Sequence, residues 1–302
     1  MTATVNVRAG RRTVPVDRPD KVLFPEDGVT KADLARYYRA VAARMLPHLR
    51  GRPLMLERHP DGIEDRGFFQ KDVPEHFPDW VHRVELPKEG GTVTYALCED
   101  TATLVYLADQ ACTTLHRFLS RSDRPDHPDR LVIDLDPPGT EFAPVRETAL
   151  LLRALLADEL ELPALAMTTG SRGLHVLVPL DRRAPFDEVR AFARDLAELL
   201  AARHPDRLTT AARKADRHGR LYLDTQRNAY AQTAVAPYAV RALPGAPVAA
   251  PVAWADVEDS SLTARQWTLA DAEKLIADDP WHPLPRGRSL SAARRRLAAL
   301  DD

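Results

Sequence analysis

The sequence predicts a mixed α/β fold of the α+β type, and three observations support this prediction. Apolar residues recur at helical spacing after Thr30 and again over Phe186–Arg203. Short apolar runs of strand length, interrupted by Pro and Gly, lie between these helices. The 302 residues are 44% hydrophobic and 28% charged, which is typical of a chain with a buried core and excludes a disordered one.

The first half of the chain is predicted to combine two helices with several strands. The first helix covers residues 31–46, because Thr30 is an N-cap residue with Asp33 three positions on and Pro47 ends the pattern. A short helix is predicted over Thr101–Asp109, followed by an extended segment over residues 113–120. Four runs are interpreted as antiparallel strands of one meandering sheet: PLMLERH, GFFQKDV, WVHRVELP and GTVTYALC.

The second half begins with the apolar strand LVIDLD, and Pro144 opens a helix after it. Two apolar runs, LPALAMTT and LHVLVPL, are joined by a four-residue link with glycine at both ends, which predicts a β-hairpin. The helix Phe186–Arg203 has one apolar face. A further strand, RLYLD, ends at Asp224.

The C-terminal third is predicted to be less regular. Residues 238–255 are rich in Pro and Ala, which favours an extended path on the surface. A last helix is predicted over residues 267–278, and the arginine-rich tail 288–302 is expected to be solvated and mobile. We expect residues 1–302 to form a single domain with sub-regions 17–120, 130–241 and 242–302.

Charge and composition exclude several classes of protein. The 42 Lys and Arg nearly balance the 44 Asp and Glu, so the net charge of −2 excludes a protein that coats nucleic acid with a uniformly basic surface. The first residues lack the apolar run of a secretory signal, and no stretch has the length of a membrane span, so we expect a cytoplasmic protein. Cys98 and Cys112 are expected to be buried, reduced thiols.

Three carboxylates point to a metal site. Asp134 and Asp136 end an apolar strand two residues apart, so both project from one face with Cα atoms roughly 6–7 Å apart. Asp224 ends a second apolar strand, and pairing of the two strands would bring all three carboxylates together. Mg²⁺ and Mn²⁺ prefer such oxygen ligands, and two ions about 3.5–4 Å apart serve phosphoryl transfer. A solvated strand end remains the alternative for the Asp134–Asp136 pair.

Basic and aromatic residues surround this cluster in the sequence. Residues 203–241 carry eight Lys and Arg against three Asp, and residues 1–60 are also basic, which beside a metal site indicates phosphate contacts rather than a solvated face. The hairpin tip Gly170–Gly173 offers backbone N–H groups, the Ser171 hydroxyl and the Arg172 guanidinium to a triphosphate. His175 and His116 are either nucleotide contacts or ordinary partly buried histidines.

Three separated motifs resemble the polymerase domain of bacterial ATP-dependent DNA ligase D, a member of the archaeo-eukaryotic primase superfamily that serves non-homologous end joining. The motifs are LVIDLDPPG, TTGSRGLHVLVPL and RLYLDTQRNAYAQTAVAPYAVRALPGAPVAAPVAW, with KVLFPEDGVTK near the start. The resemblance covers residues 17–285. It implies a primase-like fold of two packed sheets with flanking helices, in which residues 130–241 form an RRM-like catalytic module and residues 17–120 carry 5′-phosphate and template contacts.

The resemblance also implies roles for individual residues. Two divalent ions, Mn²⁺ or Mg²⁺, would be held by Asp134, Asp136 and Asp224. The implied nucleotide site contains His116, Thr169, Ser171, Arg172, Gly173, His175, Arg227 and Arg241, where Arg172 replaces the usual Lys and Thr169 replaces the Ser taken to contact the ribose. Lys21 and Lys31 would bind the 5′-phosphate of the downstream strand. Phe68 and Phe69 would stack on template bases, although adjacent strand residues face opposite ways and one of the two is expected in the core.

The implied activity is template-dependent nucleotidyl transfer from an NTP or dNTP to a primer 3′-hydroxyl, filling gaps at double-strand breaks. The implied partners are gapped or overhanging DNA ends with a 5′-phosphate, with Ku and a DNA ligase as candidate protein partners. We expect a monomer at the bacterial nucleoid without membrane contact. Nothing in the chain resembles a ligase nucleotidyl-lysine motif, so either a stand-alone polymerase or an excised domain is expected.

Two other functions fit parts of the sequence. DLDPPGT is similar to the nucleophile motif of haloacid-dehalogenase phosphatases, with Lys274 and the pair Asp278–Asp279 as their downstream groups. A non-catalytic scaffold that holds 5′-phosphorylated DNA ends would use the basic residues alone. Turnover of generic monoesters would favour the phosphatase, and tight end binding without turnover would favour the scaffold.

Overall fold

The structure is a computed structural model that describes residues 3–301. Within those residues the chain forms sixteen strands and seven α-helices. The strands are β1 (Thr4–Ala9), β2 (Arg12–Asp17), β3 (Val22–Phe24), β4 (Val29–Thr30), β5 (Leu54–Arg58), β6 (Phe68–Gln70), β7 (Arg83–Lys88), β8 (Gly91–Ala96), β9 (Cys112–Phe118), β10 (Arg130–Asp136), β11 (Leu165–Thr168), β12 (Leu174–Pro179), β13 (Leu208–Thr209), β14 (Leu221–Asp224), β15 (Thr233–Val235) and β16 (Pro251–Val252). The helices are α1 (Lys31–Leu49), α2 (Thr101–Asp109), α3 (Ala143–Ala154), α4 (Phe186–Arg203), α5 (Trp254–Glu258), α6 (Ala272–Ala277) and α7 (Leu290–Asp301). The mixed α/β prediction is confirmed.

The chain divides into two compact units, which are described separately. The first contains the chain up to Phe118 together with Thr233–Ala250 and Gln266–Asp279. The second contains Leu119–Gln232, Pro251–Arg265 and the chain from Pro280 onward. No helix within residues 3–301 has both the length and the apolar character needed to cross a bilayer.

Helix α1 begins where the sequence predicts and ends later than predicted. Thr30 and Asp33 form a reciprocal capping box, with the Asp33 N–H donating to the Thr30 hydroxyl over 3.2 Å. The helix continues through Pro47 to Leu49, so the predicted end at residue 46 is wrong. Pro47 lies in the last turn, where its missing N–H removes one hydrogen bond, and the Arg50 N–H closes the helix on Leu46.

Two separate sheets replace the single meander predicted for the first unit. Strand β9 lies between β5 and β15, and β6 pairs with the outer edge of β5. Strands β7 and β8 form their own two-stranded sheet. The prediction of one meander is wrong because the buried run of β9, which comes much later in the sequence, takes the place beside β5. The helix prediction for α2 and the extended prediction for β9 are confirmed.

The second unit is built on a six-stranded sheet in the order β13-β14-β10-β12-β11-β16. All neighbours are antiparallel except β13 and β14. The hairpin β11–β12 and helix α4 are confirmed as predicted, and α4 buries Val189, Phe192 and Leu196. Along β10, Leu131, Ile133 and Leu135 are buried, and the alternation of side chains directs Asp134 and Asp136 to the opposite face.

The Pro- and Ala-rich segment is buried, so its predicted surface path is wrong. Val240, Val248 and Ala249 are inaccessible to solvent. Burial is possible because the backbone groups have partners: the Tyr37 hydroxyl donates to the Tyr238 carbonyl over 2.8 Å, and the Tyr238 N–H donates to the Ala249 carbonyl over 2.7 Å. Small side chains let this segment pack closely.

The C-terminal region is more regular than predicted. The expected helix over residues 267–278 is a 3₁₀ turn at Leu269–Asp271 followed by α6. The expected mobile tail is instead helix α7 over its described part, because Leu290, Ala293 and Leu297 share one face and are buried. The two cysteines are buried as predicted, and burial raises the pKa of Cys112 to about 12.

Candidate active site

The register of the second unit's sheet aligns the predicted carboxylates. Asp134 on β10 lies directly opposite Asp224 on β14 and opposite His175 on β12. Side chains of directly opposed residues project from the same face of a sheet, so these three residues form a row across three strands. Asp136, two positions along β10 and opposite Tyr222, faces the same side. The strand pairing that the metal-site prediction requires is therefore present.

Asp136 is bound by two arginines. Its Oδ2 accepts a hydrogen bond from Arg217 Nη1 at 2.7 Å, and its Oδ1 lies 3.4 Å from Arg172 Nη2. Arg217 is itself fixed, because its remaining N–H groups donate to the carbonyls of Ala211 and Ala212. Its guanidinium lies 4.0 Å from the centre of the Tyr222 ring. The two arginines thus neutralise a carboxylate that would otherwise repel its neighbours.

Asp134 has a second pair of basic neighbours. Its Oδ2 lies 3.5 Å from His175 Nε2 and 3.9 Å from Arg227 Nε. His175 is only 3% exposed, and its Nδ1 has no hydrogen-bond partner among residues 3–301. Arg227 is more exposed and can turn toward a ligand. The structure therefore brings His175, Arg172 and Arg227 to the carboxylates, as the resemblance implies.

Asp224 supports the loop that follows it. Its Oδ1 accepts a hydrogen bond from the Gln226 N–H at 2.8 Å and from the Tyr222 hydroxyl at 3.3 Å. Burial and the nearby Asp224 charge together raise the pKa of Tyr222 to about 12. The Tyr222 hydroxyl therefore remains protonated at neutral pH and acts here as a donor.

The hairpin tip is organised by the Thr169 hydroxyl. This hydroxyl donates to the Gly173 carbonyl at 3.0 Å and accepts from the N–H groups of Ser171 and Gly173. These N–H groups are engaged within the loop, so the backbone cradle predicted for a triphosphate is not formed by them. A Cβ at Gly173 would clash with the Leu135 carbonyl oxygen, which shows how closely the tip approaches β10. Arg172 is the part of the tip that faces the carboxylates.

The donor chemistry of the row fits a hard divalent cation, although the side chains are not gathered around one point. Three aspartates on one sheet face supply the oxygen ligands that Mg²⁺ and Mn²⁺ prefer. Among residues 3–301, no group of three or more His, Cys, Asp or Glu side chains is arranged to hold a metal. The physical reason is visible at Asp136, which is turned toward Arg217 and Arg172. A cation would have to replace these contacts.

A second cluster of predicted residues lies in the first unit. His116 Nε2 is 3.3 Å from Glu57 Oε2, and the Phe69 ring meets His116 edge-on at 5.9 Å. Burial alone would raise the pKa of Glu57, but the hydrogen bond and charge of His116, with a smaller contribution from Arg241, lower it to about 2. Glu57 was missed in the sequence analysis, since it lies far from His116 in sequence. Glu57 thus contacts His116 and also feels the charge of Arg241.

Both phenylalanines of the predicted template contact are on the surface. Phe68 is 46% and Phe69 is 59% exposed, so the expectation that one of them lies in the core is wrong. The reason is their position on β6, the edge strand of its sheet. The Arg58 guanidinium lies 5.4 Å from the Phe68 ring centre. This pair of exposed rings beside a cation suits base stacking.

Lys21 and Lys31 line one small cavity of about 170 Å³. Lys31 is buried and paired with Asp109 at 2.8 Å, whereas Lys21 is paired with the exposed Asp61 at 2.7 Å. Arg18 and Arg58 also line the cavity, and neither was predicted from the sequence. Arg18 has the left-handed φ of 49°, a conformation that is unusual for a residue other than glycine. The four cations outnumber the carboxylates of Asp17, Asp109 and Asp61, so the cavity keeps a positive charge that suits an anion.

Comparisons with known proteins point to one family. A family model for the LigD primase-polymerase domain matches residues 30–281. The multifunctional non-homologous end joining DNA repair protein LigD of Mycobacterium tuberculosis H37Rv is 34% identical over 280 residues, covering 90% of this chain and 36% of that protein. The LigD proteins of Pseudomonas aeruginosa and Bacillus subtilis are each 33% identical over 96% and 83% of this chain.

A solved structure gives the same result at the level of the fold. The polymerase domain of Mycobacterium tuberculosis ligase D, solved in complex with DNA, superposes with a TM-score of 0.82 and 34% identity. The match covers 89% of this chain and 96% of that one. Against the curated relatives, however, the chain spans only about a third of their length, for example 36% of the Mycobacterium tuberculosis H37Rv protein.

Proposed function

The chain belongs to the LigD primase-polymerase domain family, and from this premise we propose that it is a template-dependent nucleotidyltransferase. It would extend primer 3′ ends and fill gaps at DNA double-strand breaks, using NTPs or dNTPs, during non-homologous end joining. The observation that carries the proposal is the row of Asp224, Asp134 and His175 across three strands, with Asp136 beside it.

The proposed reaction joins the primer 3′-hydroxyl oxygen to the α-phosphorus of the nucleotide, and the hydroxyl proton is lost to solvent. The bond between the α-phosphorus and the oxygen that bridges to the β-phosphate breaks, so the β- and γ-phosphates leave together as pyrophosphate. Divalent ions bound by Asp134, Asp136 and Asp224 would lower the pKa of the primer hydroxyl and hold the triphosphate. Little covalent chemistry is left for the protein, so positioning and charge neutralisation dominate.

The basic residues beside the row suit the negative charge that develops on the phosphates during the transfer. Arg172 lies beside Asp136, and Arg227 lies beside Asp134. Both arginines are more exposed than these aspartates, so the guanidinium groups can reach a triphosphate. His175 is buried against Asp134 and would donate from a fixed position. The first unit's Glu57, His116 and Arg241 would form a second set of nucleotide contacts.

The DNA end would be recognised by the lysine cavity and the exposed rings. Lys21 is partnered by an exposed carboxylate and can exchange it for a phosphate at little cost. The exposed rings of Phe68 and Phe69 would stack on template bases. The proposed protein partners are a DNA ligase, which would seal the product, and a Ku-type end-binding protein, and the proposed place of action is the bacterial nucleoid.

Primer extension on a gapped duplex tests this proposal. The substrate carries a 5′-phosphate at the downstream end, and NTPs or dNTPs are supplied with Mg²⁺ or Mn²⁺. We expect extension to need the metal and to be lost in Asp136→Ala. Asp195→Ala, which removes an exposed carboxylate from α4, is the matched control and should extend normally. Incorporation by Asp136→Ala at the parent rate would contradict the proposal.

The same experiment addresses the two alternatives. The arginine contacts of Asp136 and the absence of a gathered metal cluster among residues 3–301 are what a non-catalytic end-binding scaffold would show. Tight binding of 5′-phosphorylated ends without extension in any metal would support that scaffold. The phosphatase alternative lacks support, because Lys274 is paired with Asp271 and Asp279 is paired with Arg44.

A further inference from the structure

A groove of about 650 Å³ adjoins the lysine cavity in the first unit. The two share three lining residues, Asp17, Asp109 and Gln110, so they are neighbouring compartments of one continuous surface. The groove extends from this shared wall to Arg12 on β2 and to Trp80 and Tyr106. None of these latter residues has a role in the function proposed above.

The two compartments differ in chemistry. In the lysine cavity, the four cations Arg18, Lys21, Lys31 and Arg58 outnumber the carboxylates of Asp17, Asp109 and the Lys21 partner Asp61. The groove adds Arg11 and Arg12 to the shared Asp17 and Asp109, and Asp109 is already paired with Lys31. What distinguishes the groove is the aromatic surface of Trp80 and Tyr106. The cavity is therefore suited to a phosphate, and the groove to a flat ring.

The groove has the side chains that bind a nucleobase. The Arg12 guanidinium lies 5.0 Å from the centre of the partly exposed Trp80 ring, and Tyr106 meets Trp80 edge-on at 5.6 Å. His76 Nε2 and Gln110 Oε1 lie 3.3 Å apart and can both form hydrogen bonds to a base edge. Aromatic rings and arginine guanidiniums are both common stacking partners of bases in single-stranded nucleic acid binding.

We propose that this groove binds the base of a nucleotide joined to the 5′ side of the phosphate that the lysine cavity holds. The inference rests on the proposed function, since it needs the downstream 5′-phosphate in the cavity. Two DNA ends carry such a base: a one-nucleotide 5′ flap, in which the linkage is a phosphodiester, and a 5′-adenylylated end, in which it is a pyrophosphate. In both, the base reaches past the shared wall of Asp17, Asp109 and Gln110.

Binding of the full chain to matched gapped duplexes tests the proposal by fluorescence anisotropy. The downstream strand ends in a 5′-hydroxyl, a 5′-phosphate, a one-nucleotide flap, a flap with an abasic sugar, or a 5′-adenylyl group. We expect the flap with a base, the adenylylated end, or both to bind about tenfold tighter than the abasic flap, as one base–aromatic stack implies. The end that gains identifies the natural source.

Variants of the groove should remove this gain and nothing else. Arg12→Gln and Trp80→Ala should bind the base-carrying ends no more tightly than the abasic flap, with the preference for 5′-phosphate over 5′-hydroxyl retained. Arg8→Gln is the control, because Arg8 is an exposed arginine of the same β1–β2 hairpin that does not line the groove. Trp80 packs on Tyr106, so circular dichroism checks its variant, and Arg12→Gln gives the answer if that variant unfolds.

Two results would separate failure of this inference from failure of the proposed function. Equal binding of every base-carrying end and the abasic flap, with the 5′-phosphate preference intact, would overturn the groove proposal alone. Equal binding of 5′-phosphate and 5′-hydroxyl ends would instead overturn the phosphate site on which the inference rests.

Discussion

Replacing Arg217 should make Asp134, Asp136 and Asp224 bind a divalent metal ion more tightly. Asp136 accepts a charge-assisted hydrogen bond of 2.7 Å from Arg217, whose side chain is largely buried. Such a bond contributes about 1.5–3 kcal/mol, and a divalent ion must replace it. Arg217→Ala removes this competition, and the lower bound of that range corresponds to a roughly tenfold smaller dissociation constant for Mn²⁺.

Without added metal, the same substitution should destabilise the protein, because the neighbouring aspartates then repel one another with less positive charge beside them. We expect the free energy of unfolding to fall by about 1–2 kcal/mol without metal and by less with saturating Mn²⁺, since the ion then supplies the missing positive charge. The opposite signs of the two effects distinguish a competitor for Asp136 from a residue that merely stabilises the fold.

Calorimetric titration with MnCl₂ measures the affinity, and urea denaturation with and without Mn²⁺ measures the stability. Arg213→Ala is the matched control, because Arg213 is exposed, carries the same charge and directly precedes the 3₁₀ turn Lys214–Arg217 in which Arg217 lies. If Arg217→Ala and Arg213→Ala raise the Mn²⁺ affinity equally, the gain comes from long-range electrostatics and not from loss of the contact between Arg217 and Asp136. Unchanged or weaker Mn²⁺ binding in Arg217→Ala would refute the reasoning.

Three further predictions follow from single contacts. Gly173→Ala should lower the free energy of unfolding by about 1–3 kcal/mol, because its Cβ would meet backbone, whereas Gly139→Ala, where a Cβ meets open space, should be neutral in the same urea titration. The pKa of Glu57 lies at about 2 instead of its ordinary 4.5, so its charge contributes about 2–3 kcal/mol above pH 5 that is lost as pH falls toward 2. The stability gap between wild type and Glu57→Gln should therefore close over that range, and a gap independent of pH would contradict it. Lys21→Ala should weaken the preference for 5′-phosphate ends several-fold with little change in the free energy of unfolding. Lys31→Ala should weaken the same preference and also lower the free energy of unfolding, because Lys31 is buried in an ion pair. Fluorescence anisotropy measures the preference, and urea denaturation measures the stability.

The sequence was most informative where its pattern is local. The spacing of Asp134 and Asp136 on an apolar strand, and the apolar run before Asp224, led to a strand pairing that the structure contains. The limits of α2 and α4 were also predicted correctly, because the residues that end a helix and the periodicity of its apolar residues lie within one short stretch of sequence.

The contacts that the sequence did not reveal are those between distant segments. Arg217 and Asp136 are far apart in sequence, and so are Glu57 and His116, so no spacing indicates either pair. The exposure of Phe68 depends on β6 being an edge strand, which is decided by the pairing of β5 with β9. Sequence periodicity describes a strand but does not identify its neighbours.

The row of Asp224, Asp134 and His175 has a consequence for how such a domain can change during evolution. Its alignment is set by the backbone hydrogen-bond ladder of three adjacent strands, so the connections between those strands can be lengthened or shortened while the row is preserved. A shift of one residue in β14, by contrast, would turn Asp224 to the other face and bring a leucine into line. Insertions and deletions in relatives should therefore concentrate in the loops, whereas the lengths of β10 and β14 should stay constant.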